Sequence, residues 1–443
     1  MHKRSIFWFR QDLRIYDNRG FIEAVTQSEE ILPIFILDKN IVESFGWLED
    51  KKFWFIREML ENLDSEIKKR WGEGLEVFHD YPEKLIPELI KTYSINTIFS
   101  NTSYSTYWKK RDEKITSIIW KQNFIQIKDF VLQEPQQVEQ RKVFTPYYKL
   151  WQKNNFDTIE QNISEITTFQ TKQKKQASDF IILDKHPYFS LKFWKNRLEN
   201  FIRTDYQDFR NDLDKDGTSK LSPYMRFWVF SIRQIYNIAK QKSDTYVSEM
   251  AWREFWMQIF YNFPETKSRA FQEKKRYISW QNDETLFQKW CDWETGYPVV
   301  DAAMKQLVET HWMHGRARMI VASFLTKDLL IDWKWWEAFF KKHLLDYDEA
   351  VNIGNWQWSA SVWADPKPLR IFSPILQSQR FDPNATFIKK YLPELQWEEL
   401  KAIHDPLKYE LHYIPLIVDH SEAQRRARAV YKQSAIDFDE LKN

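Results

Sequence analysis

Apolar residues in the first third of the chain fall in short runs, Ser5–Phe9, Ile31–Leu37, Leu75–Phe78, Thr97–Ser100 and Phe124–Ile127, which read as strands. Between them, Lys52–Lys69, Pro82–Tyr93 and Lys109–Lys121 carry the spacing of amphipathic helices. Strands alternating with helices predict a doubly wound parallel sheet. No G-x-G-x-x-G follows the first run, so the usual dinucleotide fingerprint is absent. From Ile159 to Asp184 the chain turns rich in Gln, Thr, Lys and Ser with little periodicity, the pattern of a surface linker. Beyond it the pattern is helical almost throughout. Trp333–Leu345 has an apolar side broad enough for burial, and Ala423–Lys432, with Arg425, Arg426 and Arg428, reads as the close of the last helix. The expected organisation is an α/β N-terminal domain over 1–132, a connection over 133–187 and an all-α C-terminal domain over 188–443.

A chain of 443 residues has room for roughly two to three domains. A formal charge of +2 leaves any nucleic-acid site to local clustering of charge. The single cysteine, Cys291, excludes internal disulfides and a cysteine-rich metal or iron–sulfur centre, and no metal site is expected. The basic start, Met1–Phe9, has too short an apolar run for a signal peptide and reads as a first strand. No apolar run approaches the ~18 residues of a membrane span. A soluble, cytoplasmic monomer without membrane contact is expected.

The densest chemistry lies in Asp346-Tyr-Asp-Glu-Ala-Val-Asn-Ile-Gly-Asn-Trp-Gln-Trp358. Its acids suit a cationic partner and polar cofactor edges, and its indoles offer flat, oxidisable rings. Alone it would read as a buried aromatic corner. With Thr295–Leu307, Trp312–Met319 and Phe324–Trp333, however, it resembles the flavin domain of the photolyase/cryptochrome family. The resemblance runs from Trp8-Phe-Arg-Gln-Asp-Leu-Arg-Ile-Tyr-Asp-Asn18 to Tyr391–Leu395, and is strongest to bacterial class I photolyases for cyclobutane pyrimidine dimers. It implies that the helical domain binds FAD, that the partner is UV-damaged DNA, and that photoexcited reduced FAD drives repair. The rival readings are a cryptochrome-like light sensor, or a photolyase for (6-4) photoproducts or single-stranded DNA.

The resemblance also assigns roles. Thr218, Ser219, Lys220, Leu221 and Ser222 match the stretch that holds the FAD pyrophosphate, although such residues before a helix are more often a plain cap. Tyr206 and Arg253 match cofactor contacts. Arg318 with Asp346 match an ion pair beside the flavin, Asp348 matches a carboxylate facing its ring edge, Tyr347 is implied as a further cofactor contact, and Asn352 matches a position close to its N5. Photolyases typically have Asn there and many plant cryptochromes Asp, which favours repair. Trp356, Trp333 and Trp280 match the electron-transfer triad. Glu249, Trp252, Met319 and Trp358 match the lesion pocket, with Glu249 as its hydrogen-bonding group. Arg210, Trp256, Gly315, Arg316, Arg370 and Gln377 match positions at the DNA, together with Glu249, Trp252 and Arg253. Gly315 replaces a usual Asn, and His314 reads as structural. A second, antenna chromophore is implied, either methenyltetrahydrofolate or a flavin. Ser105 stands where folate-binding relatives often carry Glu.

One feature of composition resists an ordinary reading. Glycine occurs 8 times and tryptophan 22 times, where average usage would give about 31 glycines. Trp228, Trp293, Trp336 and Trp363 stand where the family usually has glycine, with Trp108 as a candidate fifth. Tryptophan at such close-packed positions should cost several kcal/mol each. Two readings stay open at this point: true tryptophan with compensating repacking, or glycine encoded by UGA.

Overall fold

The computed structural model describes all residues except 46–49, 120–123, 155, 157–164, 183–185, 187, 201–204, 365–368 and 443. The chain divides into two compact units. One comprises Met1–Glu139, Tyr148–Ile202 and Ser219–Glu254; the other comprises Gln140–Tyr147, Arg203–Thr218 and Phe255–Asn443.

The first unit is built on parallel strands β1 (His2–Phe9), β2 (Ser28–Asp38), β3 (Glu76–Asp80), β4 (Thr97–Asn101) and β5 (Phe124–Ile127), in the order β3-β2-β1-β4-β5. Helices Arg19–Gln27, Lys51–Trp71, Pro82–Tyr93 and Thr106–Ile118 lie between the strands in sequence. Ile6–Phe9 and Ile31–Leu37 are buried on both faces, which is why these strands read as unbroken apolar runs. Ile6, Trp8, Leu32, Ile34, Ile98 and Ile115 share one core cluster. The predicted strands all form, and the Pro82–Tyr93 helix has the bounds its periodicity gave.

The predicted linker is less plain than its composition suggested. Its described part contains a short strand, β6 (Thr167–Thr168), paired in parallel with β2, while 159–164 and 183–184 lie outside the described residues. Pairing satisfies backbone groups that composition cannot reveal.

The second unit is helical. The Pro298–Thr310, Gly315–Ser323 and Trp333–His343 helices contribute Val300, Ala303, Leu307, Ile320, Trp336 and Phe340 to its main core. Trp333, Ile353, Leu330 and Tyr431 form a second cluster. The last helix does not close at Lys432: it runs from His420 to Lys442, because nothing after Lys432 breaks the helical pattern. Among the described residues, no helix is long and apolar enough to cross a membrane.

Candidate functional site: flavin, electron path and DNA contacts

In the first unit, Glu249, Trp252 and Arg253 are half-buried at i, i+3 and i+4 on the Asp244–Asn262 helix, while Met250, Ala251 and Glu254 are buried. The Arg253 guanidinium lies 4.8 Å over the Trp228 ring and 5.5 Å from that of Phe130. Ser219 is buried, its hydroxyl 2.9 Å from that of Tyr246, and Leu221 is fully buried. Ser222 opens a helix that ends at Arg226. Five residues give little dipole, so hydroxyls and local N–H groups are what this segment offers an anion. Lys220 takes a left-handed φ of 54°.

The second unit holds the remaining cofactor candidates. A Cβ at Gly217 would collide with the Phe209 carbonyl, so Thr218 follows a position only glycine fits. Tyr206 lies under the Arg210 guanidinium, 5.9 Å from its ring centre. Arg318 donates to the Met313 carbonyl at 2.9 Å and to Asp346 Oδ2 at 2.7 Å. Asp346 Oδ1 is buried and bonds nothing among the described residues. Asp348 caps the Glu349–Ser359 helix by accepting the Val351 N–H. Tyr347 donates to Glu337 at 2.5 Å, and burial together with that carboxylate raises its pKa.

Asn352, one turn into that helix, is the most telling of these residues. Its Oδ1 accepts from Trp356 Nε1 at 3.2 Å, which fixes the amide and leaves Nδ2 as the free end. Nδ2 is buried and meets no acceptor among the described residues. A buried donor without a partner costs about 1–3 kcal/mol, so a ligand acceptor fits there. Donor Nδ2, acceptor Asp346 Oδ1 and the glycine-only turn at Gly217 suit a polar, aromatic, phosphate-bearing cofactor.

Trp356 and Trp333 are buried, and Trp280 is half-buried against the cluster that contains Trp333, 6.1 Å from the Tyr431 ring. Burial therefore decreases from Trp356 and Trp333 to Trp280. Trp358 is half-buried beneath the Arg370 guanidinium at 5.5 Å, and Met319 is half-buried beside Arg318 in sequence. Trp256 is 2% exposed and packs edge-on to Trp363, which leaves its ring no face for DNA. Gly315 is exposed, with open space where a Cβ would stand.

Arg316 donates to Asn211 Oδ1 at 2.7 Å and lies 4.2 Å over the Phe381 ring. Burial, and then repulsion from Arg210 and Arg380, bring its pKa down to about 10. Gln377, on the Pro374–Phe381 helix with Arg380, has a buried Oε1 without a partner among the described residues. Sequence reading missed Arg380. Its i+3 spacing from Gln377 on a helix was the available signal. His314 accepts the Arg316 N–H and so caps the Gly315–Ser323 helix.

A second feature lies in the first unit, where the sheet order reverses between β1 and β4. The carboxyl ends of these strands lead into Arg10, Gln11 and Asp12 and into Thr102 and Ser103, which line a cavity with Asn101, Trp108, Asp129, Phe130 and Trp228. Such a switch point is where open α/β sheets bind ligands. Asn101 Nδ2 donates to Asp12 at 2.6 Å, whereas Gln11 Oε1 is buried without a partner among the described residues.

The whole chain is similar to known proteins. A family model described as the FAD binding domain of DNA photolyase matches residues 246–433, and one described as DNA photolyase matches 5–165. A deoxyribodipyrimidine photo-lyase of Synechococcus is 34% identical, covering 97% of this chain and 96% of that one. The chain belongs to the photolyase/cryptochrome family. A deoxyribodipyrimidine photo-lyase of Alkalihalophilus pseudofirmus is also 34% identical, covering 96% of this chain and 97% of the relative. Among solved structures, an archaeal photolyase from Sulfolobus tokodaii with two FAD molecules is similar at a TM-score of 0.88 and 31% identity, covering 97% of this chain and 100% of the other. A bacterial class III photolyase from Agrobacterium tumefaciens is similar at 0.86 and 29% identity, covering 98% of each chain. This photolyase-family chain thus joins an N-terminal parallel α/β sheet to a largely helical FAD-binding domain.

Proposed function

We propose that this photolyase-family protein repairs UV-damaged DNA by splitting cyclobutane pyrimidine dimers in the manner of the class I enzymes. The observation that carries the reading is Arg316, a half-buried cation whose strongest charged neighbours are two further cations. Three neighbouring guanidiniums make a positive patch that suits a DNA phosphate.

Asn352, Asp346, Arg318, Tyr347 and Asp348 are assigned to FAD, with Tyr206, Thr218, Ser219, Lys220, Leu221, Ser222 and Arg253. Bound there and reduced, FAD would supply light-driven electron donation to the dimer with no net redox change. Asn352 Nδ2 holds a donor ready, and the Trp356 N–H keeps that amide from turning. Arg318 fixes one oxygen of Asp346, leaving Oδ1 to accept from the cofactor. Trp356, Trp333 and Trp280 offer oxidisable rings for photoreduction. Glu249 is assigned the hydrogen bond to the lesion, Trp252 and Trp358 the flat walls, and Met319 an apolar contact. Arg210, Arg316, Arg370 and Gln377 are assigned to the DNA backbone. A flipped dimer has already lost part of its stacking, which favours its capture.

The crevice at the ends of β1 and β4 is assigned to a second chromophore. Gln11 Oε1 can accept from a flavin imide N–H, and the absence of a carboxylate at Ser105 counts against folate.

The test is reversal of a single thymine dimer in a duplex oligonucleotide by FAD-loaded, reduced protein under blue light, with a dark control. Light-dependent reversal supports the reading. Photoreducible FAD without reversal assigns the protein to sensing or to another lesion.

A further inference from the structure

Trp228 and Trp293 have φ values of 47° and 53°, in the left-handed region where a bulky side chain is a steric outlier. Both sit at the same place in a helix ending. After Ser222–Arg226, the Trp228 N–H reaches the Met225 carbonyl at 3.4 Å and the Val229 N–H reaches that of Tyr224 at 3.1 Å. After Glu284–Cys291, the Trp293 N–H reaches the Trp290 carbonyl at 3.4 Å and the Glu294 N–H reaches that of Lys289 at 2.8 Å. This pair of bonds is the Schellman ending, whose left-handed residue is usually glycine and sometimes asparagine. The Glu349–Ser359 helix ends the same way, with small, polar Ser361 at the left-handed position.

Trp336 fails differently. It is fully buried in the Trp333–His343 helix, and its ring claims the same space as that of Trp356. The two are not equal claimants. Trp356 Nε1 donates to Asn352, whereas Trp336 Nε1 is buried with no acceptor among the described residues. Trp228 Nε1 is likewise buried without one. Trp54 Nε1 and Trp290 Nε1 share that condition, so the left-handed backbone sets Trp228 apart and the contested ring space sets Trp336 apart. By contrast, Trp363 packs against Phe271 with centroids 4.2 Å apart, and nothing in its contacts singles it out.

Two left-handed helix endings that favour a residue without a side chain, and one overfilled core position, thus hold the largest side chain, in a chain with 8 glycines and 22 tryptophans. Independent mutations would each need their own compensation. One change in decoding accounts for all of them. We infer that the cell making this protein inserts glycine at positions 228, 293 and 336, reading UGA codons there as glycine. With glycine at 228, the crevice at β1 and β4 loses an aromatic wall, and the Arg253 guanidinium loses the ring it now lies over. With glycine at 336, Trp356 keeps its place alone. The inference rests on backbone and packing, and stands or falls independently of repair activity.

The experiment is peptide mass spectrometry on the protein purified from its own cells, over the peptides spanning the three positions, read beside the gene. Peptides lighter by one indolylmethyl group at each position, with UGA codons, are the expected result. Tryptophan masses at 228 and 293, or UGG codons, overturn the inference. A second measurement compares the recombinant chain as written with its W228G/W293G/W336G variant. Melting should rise by at least about 5 °C in the variant, and an equal or lower melting temperature would count against the inference.

Discussion

Arg14 and Arg233 in the first unit and Arg316 in the second are guanidiniums withdrawn from water, but their surroundings have opposite sign. Arg14 donates to Asp129 at 2.7 Å and to the Asp17 carbonyl at 2.8 Å. Arg233 donates to Asp129 at 2.7 Å and to Asp17 Oδ2 at 2.9 Å. Two cations and two carboxylates thus close on one another. Burial alone would lower the Arg233 pKa, but Asp129 and Asp17 outweigh it and leave it raised. Arg316 has Asn211 and the Phe381 ring as partners, with Arg210 and Arg380 pushing its pKa down. A charge set that neutralises itself is a structural element. A guanidinium whose strongest charged neighbours are cations offers its charge to a phosphate, and this difference separates scaffold from site more sharply than burial does.

Substitutions on the two sides test the contrast. Arg233→Met takes the guanidinium from Asp17 and leaves Asp129 with Arg14, and should cost about 3 kcal/mol in denaturant unfolding. Glu249→Ala should lower dimers split per photon roughly tenfold, the loss of one strong hydrogen bond, with FAD content unchanged. Equal yields in both proteins would remove Glu249 from the mechanism. Arg316→Gln should change stability by no more than about 0.5 kcal/mol. If it destabilises as much as Arg233→Met, Arg316 is scaffold and the contrast collapses.

A separate, pH-dependent effect concerns Lys327, which lies in a π-helical turn, Phe324–Asp328, and donates to the Ser359 carbonyl. Burial lowers its pKa from 10.5 to about 7, opposed by Asp328 and assisted by Arg370. Between these values the unfolded chain binds the proton and the folded chain has released it. Stability from this group therefore rises with pH from about 7 toward the alkaline range. Lys327→Met should flatten that rise in melts taken across the same window.

The inner strands of the sheet were legible because parallel strands buried on both faces write themselves as apolar runs, whereas the edge strand Phe124–Ile127 is only partly buried. Phe124–Ile127 was read with its bounds intact, and Thr97–Ser100 fell one residue short of β4. Helix bounds were softer: the helix expected over Lys109–Lys121 is Thr106–Ile118, with 120 and 121 outside the described residues. β6 escaped notice because two threonines in a polar stretch carry no period. In the site, Asn352 and Arg318 were legible by resemblance, but the buried donor end of Asn352 is a property of three-dimensional packing. The left-handed backbone at Trp228 and Trp293 was hidden for the opposite reason: the residue that would have announced it is not written there.

The most direct measurement is the salt dependence of binding between FAD-loaded protein and a dimer-containing duplex, for the natural chain and for Arg316→Gln. The expected result is weaker binding with a log–log salt slope smaller by about one, the loss of one phosphate contact. An unchanged slope and affinity would contradict the assignment of Arg316 to DNA and remove the observation on which the repair reading stands.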